Sequence, residues 1–285
     1  MEANRRTLLD RPDLSHPRGL APAGPQKNRE CVKNRRRATN KSVRADFHGG
    51  SPGRLHFPHS ESDMATVTTT KGYRGMGMEG PVARWYTRIT RPSLPEFQTL
   101  ARRVADAVPP GGSVLEVAPG PGFFAIELAK IGGRNVTGLD ISRTFVEIAR
   151  KGAADAGVDV EFLQGNVSAM PFPANSFDYL LCRAAFMNFS DPPRALAEMH
   201  RVLKPGGRAL IIDLRRDVSR ELIAREIANH KPGAVNAFLM RQIFRFMLLK
   251  RAYTKGEFRE LVANSPFQGG EIHESLISLE ITLTK

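Results

Sequence analysis

Cysteine is nearly absent from the 285 residues, which contain only Cys31 and Cys182. That excludes a disulfide framework and a cysteine-built metal site, and no metal is expected. Long hydrophobic runs are missing too. No stretch approaches the roughly 18 apolar residues that cross a bilayer, and the first residues are polar where an export signal carries an apolar segment. The expectation is a cytoplasmic protein, in keeping with reduced thiols. Internal repeats are also absent. What is present is 41% hydrophobic residues, enough for a substantial core in one large or two small domains.

Acidic residues fall well short of basic ones, and the formal net charge is +13. Residues 1–63 hold 13 Lys and Arg against 7 Asp and Glu, which accounts for +6 of that excess. This segment has no hydrophobic period and is rich in Arg, Asn, Pro, Gly and Ser, so it is expected to be a disordered tail. Arg35, Arg36 and Arg37 would suit nucleic acid, but no aromatic residues interleave with them and no binding motif accompanies them. Nucleic acid is therefore not expected as a partner. Glu2, Asp10 and Asp13 argue against an acid-poor transit peptide. Met64-Ala-Thr-Val reads as a more ordinary start, and residues 1–63 are expected to be dispensable.

From about residue 80 the pattern becomes regular. Helices are predicted over 81–89 and 93–108, the second stopped by Pro109-Pro110-Gly111-Gly112. Strands and helices then alternate: strands at 114–118, 136–139, 160–163, 177–182 and 208–213, with helices at 122–131, 143–157 and 192–203. Such alternation specifies an α/β fold with a doubly wound, mostly parallel sheet. Residues 217–250 break the rhythm with two consecutive helical patterns, read as a cap insertion. A helix at 254–262 follows, and 271–277 and 278–284 form a closing antiparallel pair. The predicted units are a tail (1–63), a helical segment (64–109) and the main domain (110–285).

The stretch VLEVAPGPGFFAIEL joins an apolar strand, a glycine-rich turn and a helix start. Gly120, Gly122 and Ala125 fit the G-x-G-x-x-G/A pattern of dinucleotide sites, although Pro119 and Pro121 interrupt it. Glycines there let a ligand approach the backbone, and the helix start offers N–H groups to a carboxylate or phosphate. Asp140 closes the next strand, where a carboxylate can accept both hydroxyls of a ribose. The competing reading makes Asp140 or Ser142 a helix N-cap. An acid at this place serves NAD and S-adenosylmethionine alike.

The surrounding segments discriminate. VLEVAPGPG, VTGLDIS, GNVSAMPFPANSFDYLLC and PPRALAEMHRVLKPGGRALIID, in this order, resemble the class I S-adenosylmethionine-dependent methyltransferases over roughly residues 80–285. RVLKPGGR leading into a strand resembles the branch that includes ubiquinone and menaquinone biosynthesis methyltransferases. The resemblance implies a seven-stranded sheet and S-adenosyl-L-methionine as cofactor. It also implies that Glu116 and the turn of Ala118, Pro119, Gly120 and Gly122 face the amino-acid end of the cofactor, with Asp140 on its ribose. Ile141, Asn166 and Val167 would surround the adenine, and Cys182, Arg183 and Ala184 would border the methionine arm. The family commonly has Gly where Ala118 stands and Asp where Asn166 stands. Trp85 and Tyr86 resemble aromatics folded over the cofactor, where a ring face favours the sulfonium; plain packing is the competing reading.

Methyl transfer asks mainly for alignment and exclusion of water, so no catalytic side chain is compulsory. The candidates for a base are Asp213 at a strand end and His230 in the insertion. His200 is expected to face solvent and His273 to lie far from the site. Within the insertion, Phe238, Met240, Ile243, Phe244, Phe246, Met247 and Leu248 cover more than one helical face, as a lid over an apolar ligand would. Arg241, Arg245, Lys250 and Arg251 suit an anionic head group or a membrane surface. The expected activity is transfer of a methyl group to an O, N or C atom of a small apolar or amphipathic molecule. The alternatives are an NAD(P)-dependent oxidoreductase and a non-catalytic S-adenosylmethionine-binding protein.

Overall fold

A computed structural model of the chain describes residues 72–229 and 248–285, Met76 excepted, together with four single positions at 233, 237, 238 and 242. The expected tail, residues 1–63, and most of the second helical pattern of the insertion lie outside the described residues, as do Cys31 and His230.

Seven strands form one sheet in the order β3-β2-β1-β4-β5-β7-β6. They are β1 (Ser113–Val117), β2 (Asn135–Asp140), β3 (Glu161–Gln164), β4 (Phe177–Arg183), β5 (Leu203–Leu214), β6 (Glu271–Glu274) and β7 (Ser278–Thr284). The first five run parallel, and β7 pairs antiparallel with both β5 and β6. The doubly wound sheet and its antiparallel closing pair are therefore as expected. Strand order reverses between β1 and β4, so the crevice at their carboxyl ends is where this architecture places a ligand.

Helices α1 (Gly80–Thr90) and α2 (Leu94–Ala107) precede the sheet; α3 (Phe123–Ile131) and α4 (Arg143–Ala156) link its first strands. Helix α5 (Pro192–Val202) leads into β5, and α6 (Arg220–Asn229) and α7 (Lys255–Ala263) lie between β5 and β6. Local chemistry sets their ends. The Ser142 hydroxyl accepts the Phe145 N–H at the start of α4, and Gly157 ends that helix in the left-handed region. Asp191 caps α5 ahead of its two prolines, and Thr254 and Glu257 form a reciprocal capping box at α7.

Two cores sandwich the sheet. One packs Phe124, Leu128, Val146, Ala149 and Phe162 beneath α2, α3 and α4; the other packs Phe177, Leu196, Met199 and Phe258 beneath α5 and α7. A smaller cluster sets Ile223 and Ile227 of α6 against Met187, Leu214 and Ala252. The first half of the insertion thus packs where β4 and β5 end. Strand β5 begins earlier than expected. Residues 204–207, which lie between the predicted helix (192–203) and strand (208–213), extend the strand, and a register shift between Phe177 and Tyr179 absorbs them.

Candidate functional site

The turn after β1 is closed upon itself. The Ala118 N–H donates to the Leu139 carbonyl (2.8 Å), the Gly120 N–H to the Asp140 carboxylate (2.9 Å) and the Gly122 N–H to the Pro119 carbonyl (3.0 Å). Pro119 and Pro121 have no N–H at all. Every residue from 118 to 122 is therefore without an amide or has already committed it. In the first turn of α3, the Ala125 N–H is taken by Glu116 Oε2 at 3.1 Å. The helix start expected to meet an anion has less to offer than the sequence suggests, and a pyrophosphate would find no cradle of amides in this turn.

Asp140 is buried and ties two turns together, accepting from Gly120 through Oδ2 and from the Ser142 N–H (2.8 Å) through Oδ1. Ser142, not Asp140, is the N-cap. An ionised carboxylate has about four lone-pair sites, so Asp140 retains acceptor capacity for a ligand. Burial raises its pKa to about 6, opposed by the N–H groups of Ser142 and Gly120. Glu116 is buried as well, and burial pushes it up to about 8 against the pull of the Ala125 N–H and the Arg183 charge.

The backbone around the site is strained. Ala118 and Ala184, each just past the end of β1 or β4, sit at φ of 53° and 54°, in the left-handed region. For an L-residue other than Gly this costs about 1–2 kcal/mol. Ala118→Gly is expected to stabilise the fold by about 0.5–1 kcal/mol, the relief of strain outweighing the extra entropy of glycine in the unfolded chain. Urea unfolding measures it, and a loss of stability would show that the turn takes another conformation.

A strap missed by the sequence reading crosses the same crevice. The Arg74 N–H donates to the Asn188 carbonyl (2.7 Å), the Ser190 N–H to the Gly72 carbonyl (3.3 Å), and Tyr73 bridges Phe189 antiparallel. Farther along, the Met78 carbonyl accepts the Ser142 hydroxyl (2.6 Å), and Glu79 accepts the Arg143 and Thr144 N–H groups, both at 3.0 Å, at the start of α4. Gly72 lies so close to Ile141 and Asn166 that a Cβ there would stand 2.7 Å from Ile141 Cδ1 and 2.8 Å from Asn166 Nδ2. The signal for it was the glycine density of Gly72-Tyr73-Arg74-Gly75-Met76-Gly77, which marks close backbone approach.

The other predicted residues separate into those at the crevice and those committed elsewhere. Half-buried Tyr86 meets Phe145 edge-on at 5.8 Å and is the nearest neighbour of the space above Gly120, at 3.9 Å. Trp85 beside it is also half-buried. Among the described residues Ile141 is one of few large apolar side chains left exposed. Asn166 folds its side-chain oxygen onto the Ser168 N–H (2.9 Å), while Val167 is part of the core. Cys182 is wholly buried in the core and burial lifts its thiol pKa well above the ordinary range, so only its backbone can border a ligand. Arg183 pairs with Glu96 (2.7 Å) and lies over the Phe97 ring at 4.3 Å.

Asp213, the better-placed candidate base, is buried and accepts the Met187 and Leu214 N–H groups, both at 2.8 Å. It organises the turn after β4, and burial raises its pKa to about 6. His200 does not face open solvent as expected; it packs edge-on against Phe267 at 5.0 Å. His273 lies exposed on the edge strand β6. In the insertion Phe238 is exposed and Leu248 packs beside the α6 cluster, while Met240, Arg241, Ile243, Phe244, Arg245, Phe246 and Met247 lie outside the described residues. Among the described residues no three His, Cys, Asp or Glu side chains gather as a metal set, and no helix is long and apolar enough to cross a membrane.

Comparison with known proteins agrees with this geometry. A family described as a methyltransferase domain matches residues 115–211, from β1 into β5. The demethylmenaquinone methyltransferase of Chlorobaculum parvum is 33% identical over 165 residues, covering 51% of this chain and 67% of that protein. The Thermus thermophilus enzyme of the same name is 38% identical over 101 residues (35% of this chain, 46% of that one), and a Marinomonas ubiquinone/menaquinone biosynthesis C-methyltransferase is 34% identical over 116 (39% and 46%). The chain thus spans just under half the length of these last two relatives.

Among solved structures, a SAM-dependent methyltransferase from Aquifex aeolicus superposes with a TM-score of 0.54 at 19% identity, covering 71% of this chain and 97% of that one. The plantazolicin methyltransferase BpumL, solved with SAH, gives 0.54 at 16%, covering 71% and 86%. These two likenesses concern the fold alone. Sheet order, the closed turn with Asp140 behind it, and the relatives in sequence converge: the chain belongs to the class I S-adenosylmethionine-dependent methyltransferases, in the branch of the menaquinone and ubiquinone C-methyltransferases.

Proposed function

We propose that the protein transfers the methyl group of S-adenosylmethionine to a small apolar or amphipathic acceptor. The observation that carries this reading is the Ala118–Gly122 turn, which has no uncommitted amide for a pyrophosphate, backed by buried Asp140 on the neighbouring strand end. The names of the relatives support carbon as the acceptor atom and a quinone-type ring as the acceptor. Nothing comparable favours a hydride-transferring enzyme.

The residues present fit the cofactor. Asp140 would take the ribose hydroxyls on its remaining lone pairs, and Glu116 the ammonium of the methionine end. Ile141 would lie flat against the adenine, with Asn166 and Val167 shaping its far side. Gly120 would let the ligand approach beside the Tyr86 ring. When bound, S-adenosylmethionine supplies a methyl group on a positively charged sulfur. The chain's own part is to hold the acceptor in line, keep water out with the strap and α1, and face the positive charge with the Tyr86 ring. Asp213 is committed to its two backbone N–H groups, which favours alignment over base catalysis.

Glu116 gives this reading a pH signature. With its pKa at about 8 in the free protein, an incoming ammonium must drive off a proton below that pH. Binding of S-adenosylhomocysteine should therefore weaken roughly tenfold from about pH 8 to about pH 6.5. Calorimetry on Glu116→Gln should lose that slope; an unchanged slope would place the ammonium elsewhere. Activity itself is tested with methyl-labelled cofactor and a panel of quinols and phenols. Labelled product appearing with an equal amount of S-adenosylhomocysteine is expected, whereas tight cofactor binding without transfer to any acceptor would leave a non-catalytic binder.

A further inference from the structure

Beside the strap, Tyr73, Arg74, Gly75, Ser190 and Arg251 line a cavity of about 390 Å³. Arginines elsewhere near the carboxyl ends of the strands are matched by acids: Arg183 by Glu96, Arg215 by Asp217 and Arg216 by Glu257. Arg74 and Arg251 are different. Among the described residues neither meets a carboxylate within ion-pair distance. Each makes one long contact to a neutral oxygen, Arg74 Nη2 to the Ser190 carbonyl and Arg251 Nη1 to Asn188 Oδ1, both at 3.2 Å. A guanidinium carries five N–H donors, so most of the donors of both groups are left for a ligand.

The cavity is built into the fold. A Cβ on Gly75 would stand 2.3 Å from the Tyr73 ring and 2.9 Å from Arg251 Nη1, so a larger residue there would push the guanidinium off the strap. The cavity also adjoins the crevice. Burial raises the Tyr73 phenol pKa while the Arg251 charge lowers it, and the same phenol feels both Asp140 and Asp213. Its strap is bonded to Asn188 in the turn whose Met187 N–H Asp213 holds.

We propose that Arg74 and Arg251 bind an anionic group, a carboxylate or phosphate, carried by the methyl acceptor. Two guanidinium forks lining one cavity match the oxygens of such a group as a single lysine would not. The proposal rests on the methyltransferase reading for the identity of the ligand, but the anion site itself can be tested without turnover.

Calorimetry on the full chain with S-adenosylhomocysteine present would compare benzoate and inorganic phosphate with neutral benzamide. Binding of benzoate or phosphate at least about tenfold tighter than benzamide is expected, with a loss of about tenfold in Arg251→Met and again in Arg74→Met. S-adenosylhomocysteine affinity, measured in the same variants, should stay within about twofold of the parent, which separates this site from the cofactor site. Arg74 is exposed, so its variant tests the site even if Arg251→Met folds poorly. Equal binding of benzoate and benzamide, or anion binding that ignores both substitutions, would overturn the proposal. Arginine-dependent sedimentation with phosphatidylglycerol vesicles, with no response to free benzoate or phosphate, would move the anion to a lipid surface and also overturn it.

Discussion

Replacing Asp140 by Ala is expected to weaken S-adenosylmethionine binding by about a hundredfold or more. Two charge-assisted hydrogen bonds to a ribose contribute roughly 1.5–3 kcal/mol each, and 1.4 kcal/mol is tenfold in affinity. The same carboxylate holds the Gly120 and Ser142 N–H groups, so the alanine variant also leaves two buried donors unmatched, at about 1–3 kcal/mol apiece. Asp140→Asn separates the two effects. Its amide oxygen can keep one backbone bond and its shape preserves the packing, so stability should recover more than affinity does. Calorimetry beside urea unfolding reads both quantities. An unchanged dissociation constant in both variants would mean that the ribose is held elsewhere.

The second large effect is structural and falls in the turn after β1. Gly122 has φ of 76°, and a Cβ there would stand 2.7 Å from Phe162 Cζ and 2.9 Å from Ala149 Cβ. Neither neighbour can retreat, since Phe162 is wedged in the core and Ala149 belongs to α4. Left-handed strain of about 1–2 kcal/mol adds to overpacking of about 1–3. Gly122→Ala is therefore expected to lose about 2–5 kcal/mol. Gly120 is the internal control. It too is left-handed, at φ of 56°, yet its Cβ would meet only Tyr86 Cε1 at 3.9 Å. Gly120→Ala should lose about 1–2 kcal/mol of stability from strain alone and lose proportionately more cofactor affinity. Thermal unfolding of the pair checks the ordering; equal losses would refute the packing argument.

Much of this was legible in the sequence because each element repeats one local rule. Apolar runs of four to six residues, punctuated by Gly and Pro, mark the strands, and Asp140 falls at a strand end, where a carboxylate suits either a ribose or the cap of the next helix. What stayed hidden depends on contacts between distant segments. The strap has no hydrophobic period, since its work is done by backbone groups and by missing side chains. Arg74 and Arg251 lie far apart in the chain, and Glu116 commits one oxygen to the start of α3. The early start of β5 through Lys204–Gly207 was not legible because Pro and Gly generally interrupt a strand, whereas here a strand irregularity absorbs them, with Gly206 at φ of 77°. His200 misled because its helix position says nothing of Phe267, which arrives from beyond α7.

Calorimetry on the full chain decides whether the β1 turn and Asp140 form a site for S-adenosylmethionine or for a dinucleotide. S-adenosylmethionine and S-adenosylhomocysteine should each bind one to one with micromolar affinity, and NAD should give no heat beyond dilution. Tight NAD binding with no response to S-adenosylmethionine would make the crevice a dinucleotide site instead.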